Sequence, residues 1–84
     1  MIPRDSIETA YCFFHQKWRV YEHSTLDWQR DDIEVAIADY VDGMNPILYK
    51  KISDGNAEFL RVHRCFASDM ALAVERLESL LEEV

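Results

Sequence analysis

The residues best suited to chemistry in this sequence are two cysteines and three histidines, because thiolates and imidazoles act as nucleophiles, bases and metal ligands. They are Cys12, His15, His23, His63 and Cys65. Metal ligands carried by one helix usually lie one turn apart, whereas His15 and His23 are eight residues apart. No pair among the five has a convincing ligand spacing. We therefore predict no metal site, and we expect a chelator to leave the far-UV circular dichroism unchanged.

Catalytic motifs are also scarce. His63 and Cys65 are two residues apart, and on a helix such residues point about 200° away from each other, so they do not form a nucleophile and its base. The chain contains no glycine-rich phosphate loop and no GxSxG, HExxH or CxxC motif. Adjacent carboxylates such as Asp31 and Asp32 are typical of a solvated face. We predict that the protein is not an enzyme and binds no cofactor.

The composition is that of one small domain over residues 1–84, with 49% hydrophobic residues and only two glycines and two prolines. The first residues lack an apolar signal core, and no run approaches 18 consecutive apolar residues. We therefore expect neither export nor a membrane span. A cytoplasmic protein with Cys12 and Cys65 reduced follows from this expectation.

The charge is acidic and unevenly distributed. The net charge is −7, of which residues 24–45 carry −5 because they hold six acids and one base. Residues 46–66 carry +2, with four bases and two acids. An acidic field disfavours a general polyanion binder, so only residues 46–66 could meet an anion.

The stretch YCFFHQKWRVYEH, residues 11–23, belongs to a predicted first helix that begins after Asp5 or Ser6, either of which can cap it. Large apolar residues recur at spacings of four, three, four and three, and so share one helical face: Ile7, Tyr11, Phe14, Trp18 and Tyr21. We expect Trp18 to be buried with Phe14 and Tyr21.

A second helix is predicted from a loose capping box at Ser24 to the region of Gly43. Its buried face is expected to contain Leu26, Ile33, Ile37, Tyr40, Val41 and Met44. A short helix over 46–53 follows from Asn45 as its cap and Pro46 at its first position. A second short helix is predicted over 57–64.

The last helix is predicted to start at Ser68 and to leave Leu72 exposed. Its buried face is clearly periodic: Met70, Ala73, Val74, Leu77, Leu80, Leu81 and Val84. The pattern therefore predicts an all-α fold, a small bundle of about five helices of which three are long and two short.

Besides Leu72, four apolar residues lie outside these buried faces and are candidate partner-binding residues: Phe13, Val20, Trp28 and Val35. Phe13 and Val20 share the opposite side of the first helix, and Trp28 and Val35 stand among acids on the second. Burial of the first pair in a central helix, or of Trp28 under a loop, would explain them without a partner. Otherwise they predict a non-catalytic module that binds another protein or itself, with a monomer slightly favoured over a homodimer.

The alternative is a helix-turn-helix nucleic-acid binder that uses residues 46–66. Its helix over 57–64 would present Arg61 and Arg64, with Lys50 and Lys51 nearby for phosphates. The acidic helices on either side would repel DNA, so we expect no such binding. An acidic decoy that imitates nucleic acid is a third class that the charge allows.

Overall fold

The computed structural model describes residues 2–83. This part of the chain contains four α-helices and one turn of 3-10 helix. The helices are α1 (Arg4–His23), α2 (Asp27–Gly43), α3 (Pro46–Ser53) and α4 (Phe66–Glu83), and the 3-10 turn is His63–Cys65. The all-α prediction is confirmed, with three long helices and one short one in the described residues.

The first and last helices form the centre of the fold. Tyr21, near the end of α1, packs against Phe66 at the start of α4 with ring centroids 5.4 Å apart, so the two helices run antiparallel. Phe14 from α1 and Leu77 from α4 are completely buried. The predicted face of α1 therefore serves as the core face.

Trp18 departs from this pattern because it is only half-buried. Its ring borders a shallow depression with Ala67 and Ala71, whose small side chains leave part of the indole exposed. Trp18 was predicted to be buried with Phe14 and Tyr21; it packs against the core with them but is only partly buried.

Helix α1 begins at Arg4 without a side-chain cap, earlier than predicted, and the carbonyl of Pro3 accepts its first backbone hydrogen bonds. Helix α4 likewise begins at Phe66 rather than Ser68. Leu72 is exposed as predicted. Val84, placed on the buried face of this helix by its spacing, lies outside the described residues.

A tight corner at Ser24 turns the chain from α1 into α2. The Ser24 hydroxyl accepts the Leu26 N–H (3.2 Å) and donates to Gln29 Oε1 (2.7 Å), so it orders the corner instead of capping a helix that starts there. Helix α2 starts at Asp27. Leu26 consequently precedes the helix and is exposed, contrary to its predicted place on the buried face.

Helix α3 matches its predicted bounds. Asn45 Oδ1 accepts the Ile47 N–H at 2.9 Å, and Pro46 occupies the first turn, where its missing N–H is harmless. The helix stops where Asp54 and Gly55 take left-handed backbone conformations, with φ of 52° and 81°.

The helix predicted over 57–64 is not formed; the segment is a series of turns. Tertiary partners replace the helical hydrogen bonds: the Leu60 N–H donates to Asp69 Oδ2 (2.9 Å), and the Tyr49 hydroxyl donates to the Phe59 carbonyl (2.8 Å). Leu60 has a left-handed φ of 62°, which an α-helix does not contain. Phe59 and Leu60 are both buried, so this segment still contributes to the core.

Candidate functional site

A groove between α1 and α2 brings together two of the predicted partner-binding residues, Val20 and Trp28. Its volume is about 330 Å³, and its lining, here called the α1/α2 groove, is Gln16, Lys17, Val20, Trp28, Gln29, Asp32 and Ile33. Val20 lies near the end of α1 and Trp28 in the first turn of α2, so the corner at Ser24 sets their approach.

Large apolar side chains in and beside the α1/α2 groove are open to solvent, among polar and charged residues of the lining. Trp28 is 62% exposed and Val35 is 61% exposed. The alternative considered from the sequence, in which a loop covers Trp28, therefore does not hold for the described residues. Val35 is seven residues after Trp28, which places both on one side of α2. Val20 is less exposed, and Ile33 is buried at the base.

Phe13 is separated from this exposed set. Its ring stacks on Tyr40 with centroids 4.2 Å apart, and it meets Phe14 edge-on at 5.9 Å. It is therefore half-buried, with α2 covering part of the ring through Tyr40. Phe13 is not among the residues that line the α1/α2 groove, although the ammonium of the lining residue Lys17 lies 5.7 Å from its ring centroid.

A second depression lies on an adjacent side of α2. Its volume is about 480 Å³, and its lining, here called the histidine cleft, is Tyr21, Asp27, Arg30, Asp31, His63, Arg64 and Ala67. Glu34 lies beside it: both carboxylate oxygens of Glu34 are within 2.8–2.9 Å of His63 Nδ1, and the Tyr21 hydroxyl donates to Oε2 at 3.3 Å.

The carboxylate of Glu34 governs the electrostatics of this cleft. The hydrogen bond to Glu34 and its negative charge raise the pKa of His63 above the ordinary value, with smaller contributions from Asp31 and Asp27. Burial, followed by the charge of Glu34, raises the pKa of Tyr21. The cleft therefore favours a positively charged group beside Glu34.

The four basic residues considered for nucleic acid lie in different places. Lys50 and Lys51 border a depression at the end of α3, Arg61 pairs with Asp42 at 3.3 Å, and Arg64 lines the histidine cleft. In place of the predicted helix over 57–64, Arg61 lies in a series of turns and Arg64 in the 3-10 turn His63–Cys65. The nucleic-acid hypothesis depended on a recognition helix over 57–64, and the described residues do not form that helix. DNA binding itself stays untested.

The cysteines are exposed and free, and so are not joined to each other. Among residues 2–83, no helix combines the length and the hydrophobicity that a membrane crossing requires. Comparison with known protein families, with curated proteins and with solved structures gives no match.

The sequence did not predict that Asp31, Glu34 and His63 lie close together. Asp31 and Glu34 are three residues apart on α2, a spacing that places their side chains on one side of a helix. His63 is 29 positions beyond Glu34 and reaches it only through the folded segment after α3. No local pattern joins residues so far apart, so only the three-dimensional fold reveals the cluster.

Proposed function

We propose that the protein is a non-catalytic interaction module that binds a partner protein in the α1/α2 groove. The observation that carries this proposal is the convergence of Val20 and Trp28, two exposed apolar side chains from different helices that line one groove. Large apolar side chains exposed together on a small domain are typical of interaction surfaces. Tryptophan is also enriched among the residues that dominate binding energy.

The chemistry of the surface favours a basic partner segment with one apolar anchor. Asp32 and Asp39 are exposed on the side of α2 that carries Trp28 and Val35. Complementary charge steers a Lys- or Arg-rich segment to this face and suppresses acidic partners. A second copy of the chain would bring two acidic faces together, since residues 24–45 carry −5 in each copy.

Selection of random peptides on the immobilised whole chain tests the proposal. We expect the selected peptides to combine Lys or Arg residues with one large apolar residue, and to shift the amide resonances of Val20 and Trp28 in NMR spectra. Trp28→Ala should weaken binding by at least about thirtyfold, since a truncated hot spot loses about 2 kcal/mol or more.

Ile47→Ala is the matched control, because Ile47 is 56% exposed on α3 and lies outside the groove. Its effect on peptide affinity should stay within about twofold. Selection of acidic peptides, or binding that is indifferent to Trp28→Ala, would contradict the proposal. Sedimentation tests whether the chain self-associates. If it does, and if Trp28→Ala abolishes the association, a second copy occupies the groove and the proposal of a basic partner is overturned.

A further inference from the structure

The side chains of Asp31, Glu34 and His63 form a cluster of potential metal ligands at the histidine cleft. Each offers one ligand atom, and these atoms all lie within 4.8 Å of one another. We propose that this cluster binds a divalent transition-metal cation, of which zinc is the representative. The site lies on a different side of α2 from the α1/α2 groove and does not depend on the function proposed for that groove.

The distances already approach those of a metal site. Two ligands that are each about 2.0–2.1 Å from a tetrahedral zinc ion lie about 3.3 Å apart. His63 Nδ1 and the nearer Glu34 oxygen are 2.8 Å apart. A cation could therefore enter between them if the two side chains separated by about half an ångström. His63 is on the surface, with 76% of its side chain exposed, so this movement does not disturb the core.

Glu34 is the most firmly positioned of the three ligands. Only 17% of its side chain is exposed, and the Tyr21 hydroxyl donates to Oε2 at 3.3 Å. Hydrogen bonds of this kind orient ligating carboxylates and are part of most metal sites. Tyr21 is itself held in the core between α1 and α4, so the carboxylate is anchored to the rigid part of the fold.

The open cleft supplies space for the remaining coordination positions. Asp31 lies one turn before Glu34 on α2, and its carboxylate completes a set of two oxygens and one nitrogen. Zinc sites with three protein ligands keep a fourth position for water, and the depression of about 480 Å³ beside His63 leaves room for it.

When His63 is neutral, as a metal-ligating imidazole must be, the ionised groups in and around the cluster carry one more negative than positive charge. Asp27 lines the cleft and adds a third negative charge, whereas Arg30 and Arg64 oppose it. Arg30 lines the cleft, but it is already engaged: its Nε donates to the Ser24 carbonyl at 3.1 Å, and its guanidinium lies 5.1 Å from the Tyr21 ring centroid.

The nature of the ligands selects the cation. Magnesium and calcium prefer oxygen ligands alone, whereas imidazole nitrogen suits zinc and its transition-metal neighbours. The mixed set of Asp31, Glu34 and His63 therefore favours zinc over magnesium.

Calorimetric titration of the whole chain with a zinc salt, and separately with a magnesium salt, tests this proposal. We expect one zinc ion to bind per chain and magnesium to bind much more weakly. Glu34→Gln and His63→Ala should each weaken zinc binding by at least about tenfold, since even outer-shell changes weaken metal binding tenfold or more. Nitrogen-detected NMR should show zinc on Nδ1 of His63.

Two further variants separate this cluster from other sources of zinc binding. Asp39→Asn removes an exposed carboxylate from the same helix outside the cluster and should leave zinc affinity unchanged. Cys65→Ser should also leave it unchanged, although the exposed thiol is two residues from His63. Zinc binding that survives His63→Ala, that requires Cys65, or that fails to saturate below about 1 mM zinc would overturn the proposal, because built zinc sites bind far more tightly. Circular dichroism of each variant verifies that it remains folded.

Discussion

Helix α2 presents two adjacent sides, about 100° apart around its axis, and they differ in what they leave unsatisfied. The side of Trp28 and Val35 exposes two large apolar side chains to water among polar and charged neighbours such as Asp32. The side of Glu34 exposes charge, but its carboxylate is already hydrogen-bonded to Tyr21 and His63. The first side gains by covering its apolar surface, whereas a ligand on the second must compete with bonds that the chain makes to itself.

Both sides depend on the inner face of α2, and Ile37→Ala tests that dependence. Ile37 is completely buried, so its truncation removes packing and leaves a cavity. We expect the free energy of unfolding, measured in urea, to fall by about 2–5 kcal/mol. Ile37→Val, which removes one methylene, is the control and should cost about 0.5–1.5 kcal/mol. A loss below 1 kcal/mol in Ile37→Ala would show that α2 is not docked as described.

Asp69→Ala should distinguish the two sides, because the Asp69 carboxylate accepts a hydrogen bond from Leu60, in the segment that leads to His63. The carboxylate of Asp69 is buried and accepts the Leu60 N–H, so the variant leaves a buried donor without a partner. We expect unfolding to become easier by about 1–3 kcal/mol, and the His63 resonances to shift while those of Trp28 do not. Glu75→Ala, an exposed acid of the same helix, should change stability by less than about 0.5 kcal/mol. Equal perturbation of His63 and Trp28 would contradict this distinction.

Glu34→Gln should change the protonation of His63 with a smaller effect on stability. The carboxylate raises the pKa of His63, so the neutral amide should bring that pKa down towards its ordinary value. An NMR titration of the metal-free protein measures this change, with Asp39→Asn as the control. An unaltered His63 pKa in Glu34→Gln would mean that the two side chains do not meet in solution.

The same pair predicts the direction of a pH effect on stability. The folded pKa of His63 lies above the unfolded one, so the pair stabilises the fold below the unfolded pKa. This contribution is lost as the pH rises through the raised folded pKa. Glu34→Gln should therefore reduce the dependence of unfolding free energy on pH in that interval.

Trp28→Ala should have the smallest effect on folding, although its expected effect on partner binding is large. Most of the ring is in solvent, so its removal should change the free energy of unfolding by no more than about 0.5 kcal/mol. Urea denaturation of wild type and Trp28→Ala measures this. A loss above 1 kcal/mol would place Trp28 in the fold and weaken its assignment as a contact residue.

The sequence predicted the elements whose signals are local. Asn45, Pro46 and Gly55 bracket α3 within a few residues, and the periodic apolar face of α4 is complete within one helix. The segment 57–64 was predicted wrongly because its conformation is decided by Asp69 and Tyr49, which are distant in sequence. Local propensity cannot register such partners.

The candidate sites follow the same division. The sequence alone suggested that Trp28 and Val35 are exposed, because both lie outside the predicted buried face of the second helix. Position relative to that face is a local property of the sequence. The shared groove of Val20 and Trp28 depends on the angle between α1 and α2, which the corner at Ser24 sets. The meeting of Glu34 and His63 depends on the path of the chain after α3, so it was beyond any argument from spacing.

The antiparallel pairing of α1 with α4 has a consequence for the order of events during synthesis. Helix α1 leaves the ribosome first, but α4, its most extensive partner, is translated last of the described elements. Until then the aromatic face of α1 has only α2 and α3 to cover it. Closing this long loop is an entropic barrier that local helices do not face. The apolar face of α1 therefore stays without its main partner until α4 has been synthesised, and exposed apolar surface of this kind is prone to aggregation.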